Sequence, residues 1–291
     1  MQKEIKFSLL YRDMWQSSGK YVPRVDQLKR IAPVIVDMGC FSRVETNGGA
    51  FEQVNLLYGE NPNKAVREWT KPFNEAGIQT HMLERALNGI RMFPVPKDVR
   101  RLMYQVKKAQ GVDIARSFCG LNDHRNLELS IKYAKEAGMI SQVALSITHS
   151  EIHTVDYYMG VVDQAVEYGT DEICLKDMAG VGRPVTLGKL VKQIKEKHPH
   201  LVVQYHGHSG PGFSVASMLE VAKAGADYID GGADDDTIYG DSTYDETGTR
   251  QNTPAVDHGV DTVEGGAGDD TIFGEGGGDK LGGGTGADTI D

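Results

Sequence analysis

Two histidines one residue apart, His206 and His208, close the apolar run LVVQYH at 201–206. In a strand, residues i and i+2 point to the same face, so both imidazoles can approach one ion. Asp13, in YRDMWQ directly after KFSLLY, offers a carboxylate. Imidazoles with a carboxylate suit Zn²⁺, Mn²⁺ or Co²⁺ rather than Ca²⁺. An isolated HxH is more often incidental than metallic. Here two further apolar runs also end in reactive side chains: Met82-Leu83-Glu84-Arg85 and Cys174-Leu175-Lys176-Asp177-Met178-Ala179-Gly180. Lys176 has a bland alternative, a surface ion pair with Asp177, but its place after a buried-looking run favours a site role.

Eight strand-like segments supply these ends, at 6–11, 41–46, 78–83, 112–117, 141–147, 171–175, 201–206 and 226–230. Helical patterns lie between them. Leu28, Ile31, Ile35 and Met38 share one face before Gly39, and Val99, Leu102, Met103 and Val106 share one before Gly111; Leu187, Leu190, Val191 and Ile194 repeat the spacing. Pro33 and Pro72 fall inside predicted helices, where a kink or a late start is expected. Alternating strands and helices imply parallel strands with crossover connections. Eight of them in 232 residues point to a closed (β/α)₈ TIM barrel, with seven helices because the chain changes character after strand eight. The active site of such a barrel gathers at the C-terminal ends of the strands, with Asp13 expected to face the histidines from the other side of the mouth.

The stretch RDMWQS resembles the RDxxQS motif of the biotin-dependent carboxyltransferase family, which includes pyruvate carboxylase, oxaloacetate decarboxylase and transcarboxylase. GLNDHRNLELSIKYAKEAG, HTVDYYMGVVDQAVEYGTDEICLKDMAG and HGHSGPGFSVASMLEVAKAGADYIDGG also resemble it, in the family's order, across nearly all of 1–232. The resemblance implies that Asp13, His206 and His208 are metal ligands. It implies that Lys176 is carboxylated on its amine, turning a cation into an oxygen anion able to join them. Arg12 and Gln16 then lie near substrate and the biotin ring. Arg85 binds the carboxylate of a 2-keto acid, for which a planar guanidinium fork is suited. The implied reaction moves CO₂ between carboxybiotin and a 2-keto acid such as pyruvate, or runs backwards as oxaloacetate decarboxylation, with a divalent cation polarising the keto carbonyl. A Met-Lys-Met biotinylation motif is absent, so biotin is expected on a separate carrier protein. A homo-oligomer is expected. The family also uses a threonine beyond strand eight as a proton relay. That region is replaced here, so the barrel reads as truncated after strand eight, and neither Thr237 nor Thr243 is given the role.

The replacement begins at Gly231–Gly232. GGAGDDTIF, GEGGGDKLG and GGTGADTID (265–291) are consecutive nonapeptides of the form GGxGxDxUx, U being a large apolar residue. Weaker units lie at 231–239 and 256–264, separated by a degenerate unit at 240–248 and a seven-residue insertion at 249–255. The pattern resembles RTX repeats. It implies a parallel β-roll over 231–291, with Ca²⁺ bound by Asp270, Asp279 and Asp288 and a thin core of Ile272, Leu281 and Ile290.

Composition divides the chain at the same place. Residues 233–291 carry 15 acidic and 2 basic side chains, a balance of −13, while 1–232 carry 26 and 29, a balance of +3. The chain is therefore read as two domains, 1–232 and 233–291. Neither has the basic stripe of a nucleic-acid binder, and no apolar run approaches the ~20 residues of a membrane helix. Cys40, Cys119 and Cys174, an odd count without a CxxC pair, suit reduced thiols and a cytoplasmic barrel; the tail raises export as the alternative. Trp15 is read as a packing residue, HSGPGF as a plain turn, and Arg12 as either a substrate contact or a partner of a carboxylate inside the mouth. Three rival functions remain open: an acyl-CoA lyase or synthase of the related HxH barrels, a secreted calcium-binding RTX protein, and a fusion without function.

Overall fold

The barrel strands pair in chain order and the eighth returns to the first. In the computed structural model β1 (Lys6–Leu9), β2 (Phe41–Gly48), β3 (Gln79–Glu84), β4 (Ile114–Phe118), β5 (Ile140–Ser146), β6 (Glu172–Asp177), β7 (Val202–Gly207) and β8 (Tyr228–Gly231) form a closed parallel barrel. The structure describes residues 5–17, 24–89, 91 and 93–231, and beyond them 237–239, 242–244, 250–252, 262–267, 271–273, 280–285, 287 and 289–290. The chain divides into two compact units, Met1–Gly232 and Ala233–Asp291.

Seven crossovers link the eight strands. Among the described residues, two carry a helix pair, α1 (Tyr11–Ser17) with α2 (Val25–Met38) and α3 (Gly49–Leu57) with α4 (Pro62–Glu75). The others carry α5 (Lys97–Ala109), α6 (Glu128–Glu136), α7 (Val155–Glu167), α8 (Pro184–Lys197) and α9 (Ser214–Lys223). No helix follows β8 among the described residues. Among those residues, too, no helix is long and apolar enough to cross a membrane. Local chemistry sets the boundaries. Gly39 ends α2 in the left-handed conformation, φ 66°. Asn61 caps α4 by accepting the amides of Asn63 and Lys64, with Pro62 in the first turn where its missing N–H costs nothing. Neither proline delays its helix: α2 starts eight residues before Pro33, and α4 ten before Pro72.

The helix faces were only partly legible. α2 buries Leu28 and Ile35 as expected, but Met38 is exposed. On α5 the expectation holds only in part: Met103 packs against the core and Val106 is half-buried. Val99 and Leu102 face solvent, and the buried positions are Arg100, Tyr104 and Lys107. Each buried charge there meets a buried partner: Arg100 donates to Ser130 at 2.6 Å, and Lys107 pairs with Glu52. Charges paired in this way can occupy a face that periodicity assigns to apolar residues.

The barrel interior is likewise charged. Arg43 (β2) makes a bidentate pair with Glu172 (β6) at 2.7 and 2.8 Å. Glu172 also accepts from Gln142 (β5) at 2.7 Å, and Arg116 (β4) donates to Gln142 and to Asp230 (β8), the latter at 3.1 Å. Arg116, Glu172, Gln142 and Asp230 are all buried. This network ties five strands together inside the barrel.

In the second unit the ladders follow the nonapeptide. β12 (Thr262–Ala267) runs parallel to β14 (Lys280–Thr285), Val263 beside Leu281; β13 (Thr271–Phe273) runs parallel to β15 (Thr289–Ile290), Ile272 beside Ile290. Each residue thus pairs with one two repeats further on, as in a parallel β-roll whose strands alternate between two sheets. β9 (Thr237–Tyr239) pairs with β13, Ile238 beside Ile272, sixteen positions beyond that spacing. Those sixteen positions are the degenerate unit and the insertion, within which β10 (Ser242–Tyr244) and β11 (Arg250–Asn252) form an antiparallel hairpin. Asp270, Asp279 and Asp288, the expected calcium ligands, lie outside the described residues.

Candidate metal centre

His206, the penultimate residue of β7, is fully buried, and His208 follows the strand at the rim, its side chain 31% exposed. Two glycines make the approach possible. A Cβ on Gly207 would fall 2.1 Å from the Tyr205 hydroxyl, and one on Gly180, which sits at φ +64° in the KDMAG turn, would fall 2.2 Å from the His208 carbonyl oxygen. That turn is held by Asp177, whose carboxylate accepts the amides of Val181 and Gly182 at 3.0 and 2.7 Å. Asp177 is therefore committed to the turn, and Lys176 is not half of a surface ion pair. Its side chain is 2% exposed, with Nζ 3.0 Å from His206 Nε2.

Asp13 lies in the first turn of α1. Its Oδ2 is 3.6 Å from His206 Nε2 and 3.4 Å from His208 Nε2. One donor atom from each of Asp13, His206 and His208 falls within 4.8 Å of the others. Only β8 separates β7 from β1, so Asp13 comes from a near neighbour, not from across the mouth. The donor set and spacing fit a divalent cation.

The electrostatics prepare the donors. Burial, helped by the Lys176 charge, pushes the His206 imidazole down to about 3, so it is neutral and able to ligate. Burial alone would raise the Asp13 carboxyl. The His208 hydrogen bond and the charges of Arg12 and Lys176 outweigh it and hold the group far below the usual carboxylate range. Burial lowers the Lys176 amine from its ordinary value. Behind His206, Asp230 Oδ2 stands 3.2 Å from Nδ1, the outer-shell contact that fixes a ligating imidazole's tautomer and orientation.

The remaining candidates divide. Arg85 and Arg12 both line a recess of about 270 Å³ with Asp13, Lys176, His208, Phe118 and Met178. Arg12 is nearly buried: its Nε donates to Glu45 at 2.6 Å and a terminal nitrogen meets Asp13 Oδ1 at 3.2 Å, which answers the carboxylate-pairing alternative. Gln16 lies on α1, and its side chain is outside those described. Trp15 packs on Phe51, ring centroids 4.6 Å apart, and HSGPGF is the connection from β7 to α9. A larger cavity, about 580 Å³, opens around Lys6, Phe41, Gln79 and Tyr228 at the opposite end. It lacks the carboxylate–imidazole set and lies on the face where such barrels spend residues on stability.

Comparisons with known proteins divide the chain as its composition does. A family model described as HMGL-like matches residues 122–233, and one for the RTX calcium-binding nonapeptide repeat matches 221–246 and 259–290. The two overlap because Asp227 and Ile229 precede Asp236 and Ile238 by nine residues. The structure places these earlier residues in the barrel, where the Asp227 carboxylate accepts the Val203 amide at 2.8 Å. A pyruvate carboxylase subunit of Methanocaldococcus jannaschii is 33% identical over 220 residues, 76% of this chain and 38% of that protein. Pyruvate carboxylase of Schizosaccharomyces pombe is 34% identical over 227 residues, 76% of this chain and 19% of that protein. The chain thus spans less than half the length of these relatives. Among solved structures, the carboxyl transferase domain of Rhizobium etli pyruvate carboxylase with pyruvate superposes with a TM-score of 0.74 at 24% identity, over 79% of this chain and 40% of that one. The same domain with oxamate and biotin gives 0.73 at 25%, over 79% and 40%.

Proposed function

We infer a function for a chain that joins an HMGL-like domain, homologous to pyruvate carboxylases, to RTX calcium-binding repeats: metal-dependent carboxyl transfer between biotin and a 2-keto acid, or its reverse, oxaloacetate decarboxylation. The observation that carries this reading is one recess lined by a carboxylate, an imidazole, a buried lysine and two arginines, with a second, buried imidazole in reach of the same carboxylate and lysine. Asp13, His206 and His208 would hold the cation, with Lys176 completing the set as a carbamate. A divalent cation bound there supplies Lewis acidity toward the keto oxygen of the substrate. Arg85 takes the substrate carboxylate through its guanidinium fork, which orients the methyl carbon toward the biotin ring. Arg12, braced by Glu45, holds Asp13 and closes the recess beside the reacting carbons. In the decarboxylation direction the bond between the methylene carbon and the terminal carboxyl breaks. The electron pair stays on the three-carbon fragment, and CO₂ passes to the biotin ureido nitrogen, whose proton returns to that fragment.

The test is oxaloacetate decarboxylation by the purified full chain, with its metal content measured and free biotin standing in for the carrier. The expected result is a rate stimulated by biotin and proportional to metal content. A fully loaded protein indifferent to biotin sinks the reading.

The β-roll register favours a second property, calcium binding by the tail. Carboxylates spaced one per repeat repel one another until a hard cation neutralises them. Calcium added up to about 1 mM, the weak range typical of extracellular modules, is expected to increase the β signal in circular dichroism. A flat titration to that concentration discredits calcium binding and leaves the barrel chemistry untouched.

A further inference from the structure

Arg85 enters the recess from a backbone turn that is costly to make. Ala86, the next residue, is nearly buried and sits at φ 44°, a conformation that residues bearing a Cβ seldom adopt. Such strain persists only where surrounding structure over-determines it. The turn closes on itself through the Arg85 amide to the Gly89 carbonyl at 2.9 Å and the Asn88 amide to the Arg85 carbonyl at 2.9 Å. What holds Ala86 itself is Glu84. Its Oε2 accepts the Ala86 amide at 3.0 Å, a direct link from the buried carboxyl to the strained residue.

Glu84 ends β3 with no exposed surface, and its far side is clamped by three elements. Ser130 of α6 donates to both carboxyl oxygens at 3.3 Å, Arg100 of α5 stands 3.8 Å away, and Ser117 of β4 and Tyr104 of α5 add hydrogen bonds. Arg100 is itself tied to Ser130 at 2.6 Å. None of these groups lines the recess, so the carboxyl has no part in the chemistry. We propose that Glu84 is a positioning residue: anchored in this buried knot, it holds the Arg85–Ala86 turn at its positive-φ residue, Ala86, and thereby fixes where the Arg85 guanidinium enters the recess. The proposal rests on the reading of Arg85 as the partner of the keto-acid carboxylate. Burial also pushes the Glu84 carboxyl up to about 7, so near neutral pH a glutamine is a fair isostere for it.

The experiment measures the dissociation constant for pyruvate on the metal-loaded full chain, together with metal content and thermal unfolding. Glu84→Asp keeps a carboxyl on the Arg100 side but withdraws the acceptor from the Ala86 amide by one methylene. It is expected to weaken pyruvate binding about tenfold, the scale on which small misplacements act, with metal content unchanged. Glu84→Gln keeps the acceptor in place and is expected to bind within about twofold of the parent. In an Arg85→Ala background, Glu84→Asp is expected to change nothing further, because the guanidinium it positions is gone. Parent-like affinity in Glu84→Asp overturns the proposal, as does a loss that persists in the Arg85→Ala background. If Arg85→Ala alone leaves pyruvate affinity intact, the reading of Arg85 falls and takes this proposal with it.

Discussion

Lys176→Ala is expected to lower divalent-metal affinity at least about 100-fold, the upper end of what loss of an outer-shell partner costs, and to remove biotin-stimulated oxaloacetate decarboxylation. The direction of the effect is what makes the measurement decisive. An unmodified ammonium 3.0 Å from His206 Nε2 would repel a cation held by that imidazole, and deleting it would strengthen metal binding. A carbamate reverses the sign: it adds an oxygen donor and a negative charge, and deleting it weakens binding. Metal titration of the two proteins by calorimetry therefore separates the alternatives. Intact-mass measurement under bicarbonate should show the mass of one added CO₂ on the parent and not on the variant. Metal affinity that is unchanged or improved in Lys176→Ala ends the carboxylated-lysine reading.

Why some of this site was legible in sequence and some was not follows from where each residue sits on the pleat. His206, His208, Lys176 and Arg85 close strands, so a reading of strand ends finds them, and the i, i+2 spacing of the histidines states their shared direction. Asp13 follows β1 in the same way, and only its placement across the mouth was mistaken, since strand adjacency in the closed barrel is not written locally. Glu45, Arg116 and Asp230 lie in strand interiors, where strand-end logic does not look. Their signal was nonetheless present. Strands of an all-parallel barrel are expected to be nearly continuous apolar runs, yet β2 reads Arg43-Val44-Glu45, β4 carries Arg116, β6 carries Glu172 and β8 ends near Asp230. A charge in such a strand must find a partner of opposite sign in the barrel interior, and the partners are on the other interrupted strands. α5 was only partly legible for the same reason: periodicity counts apolar residues and cannot see that Arg100 and Lys107 have buried carboxylates waiting for them.

That interior layer carries the largest expected effect on stability. Arg116 stands 3.1 Å from Asp230 and 3.5 Å from Glu45, all three fully buried. Removing one partner of a buried pair leaves an uncompensated charge, which typically costs about 3–5 kcal/mol, so Arg116→Met should destabilise the barrel by roughly that amount in urea unfolding at neutral pH. The pH dependence identifies the cause. In the parent, burial tends to raise the Asp230 carboxyl, but the Arg116 charge and the His206 hydrogen bond outweigh it and hold the group well below the usual range. Without Arg116, burial prevails and the folded-state value rises above the unfolded one, about 3.9. A carboxyl raised on folding is no burden while protonated in both states and becomes one as pH climbs through its folded value. The deficit of Arg116→Met should therefore shrink as pH falls toward about 4 and be largest at pH 7 and above. A deficit independent of pH would mean that the lost arginine contributed packing volume, not charge. Because Asp230 is also the group that orients His206, the same variant joins the two predictions. Without its guanidinium partner the Asp230 carboxylate is no longer held in place behind the imidazole it orients, so the variant's metal affinity should fall together with its stability at neutral pH.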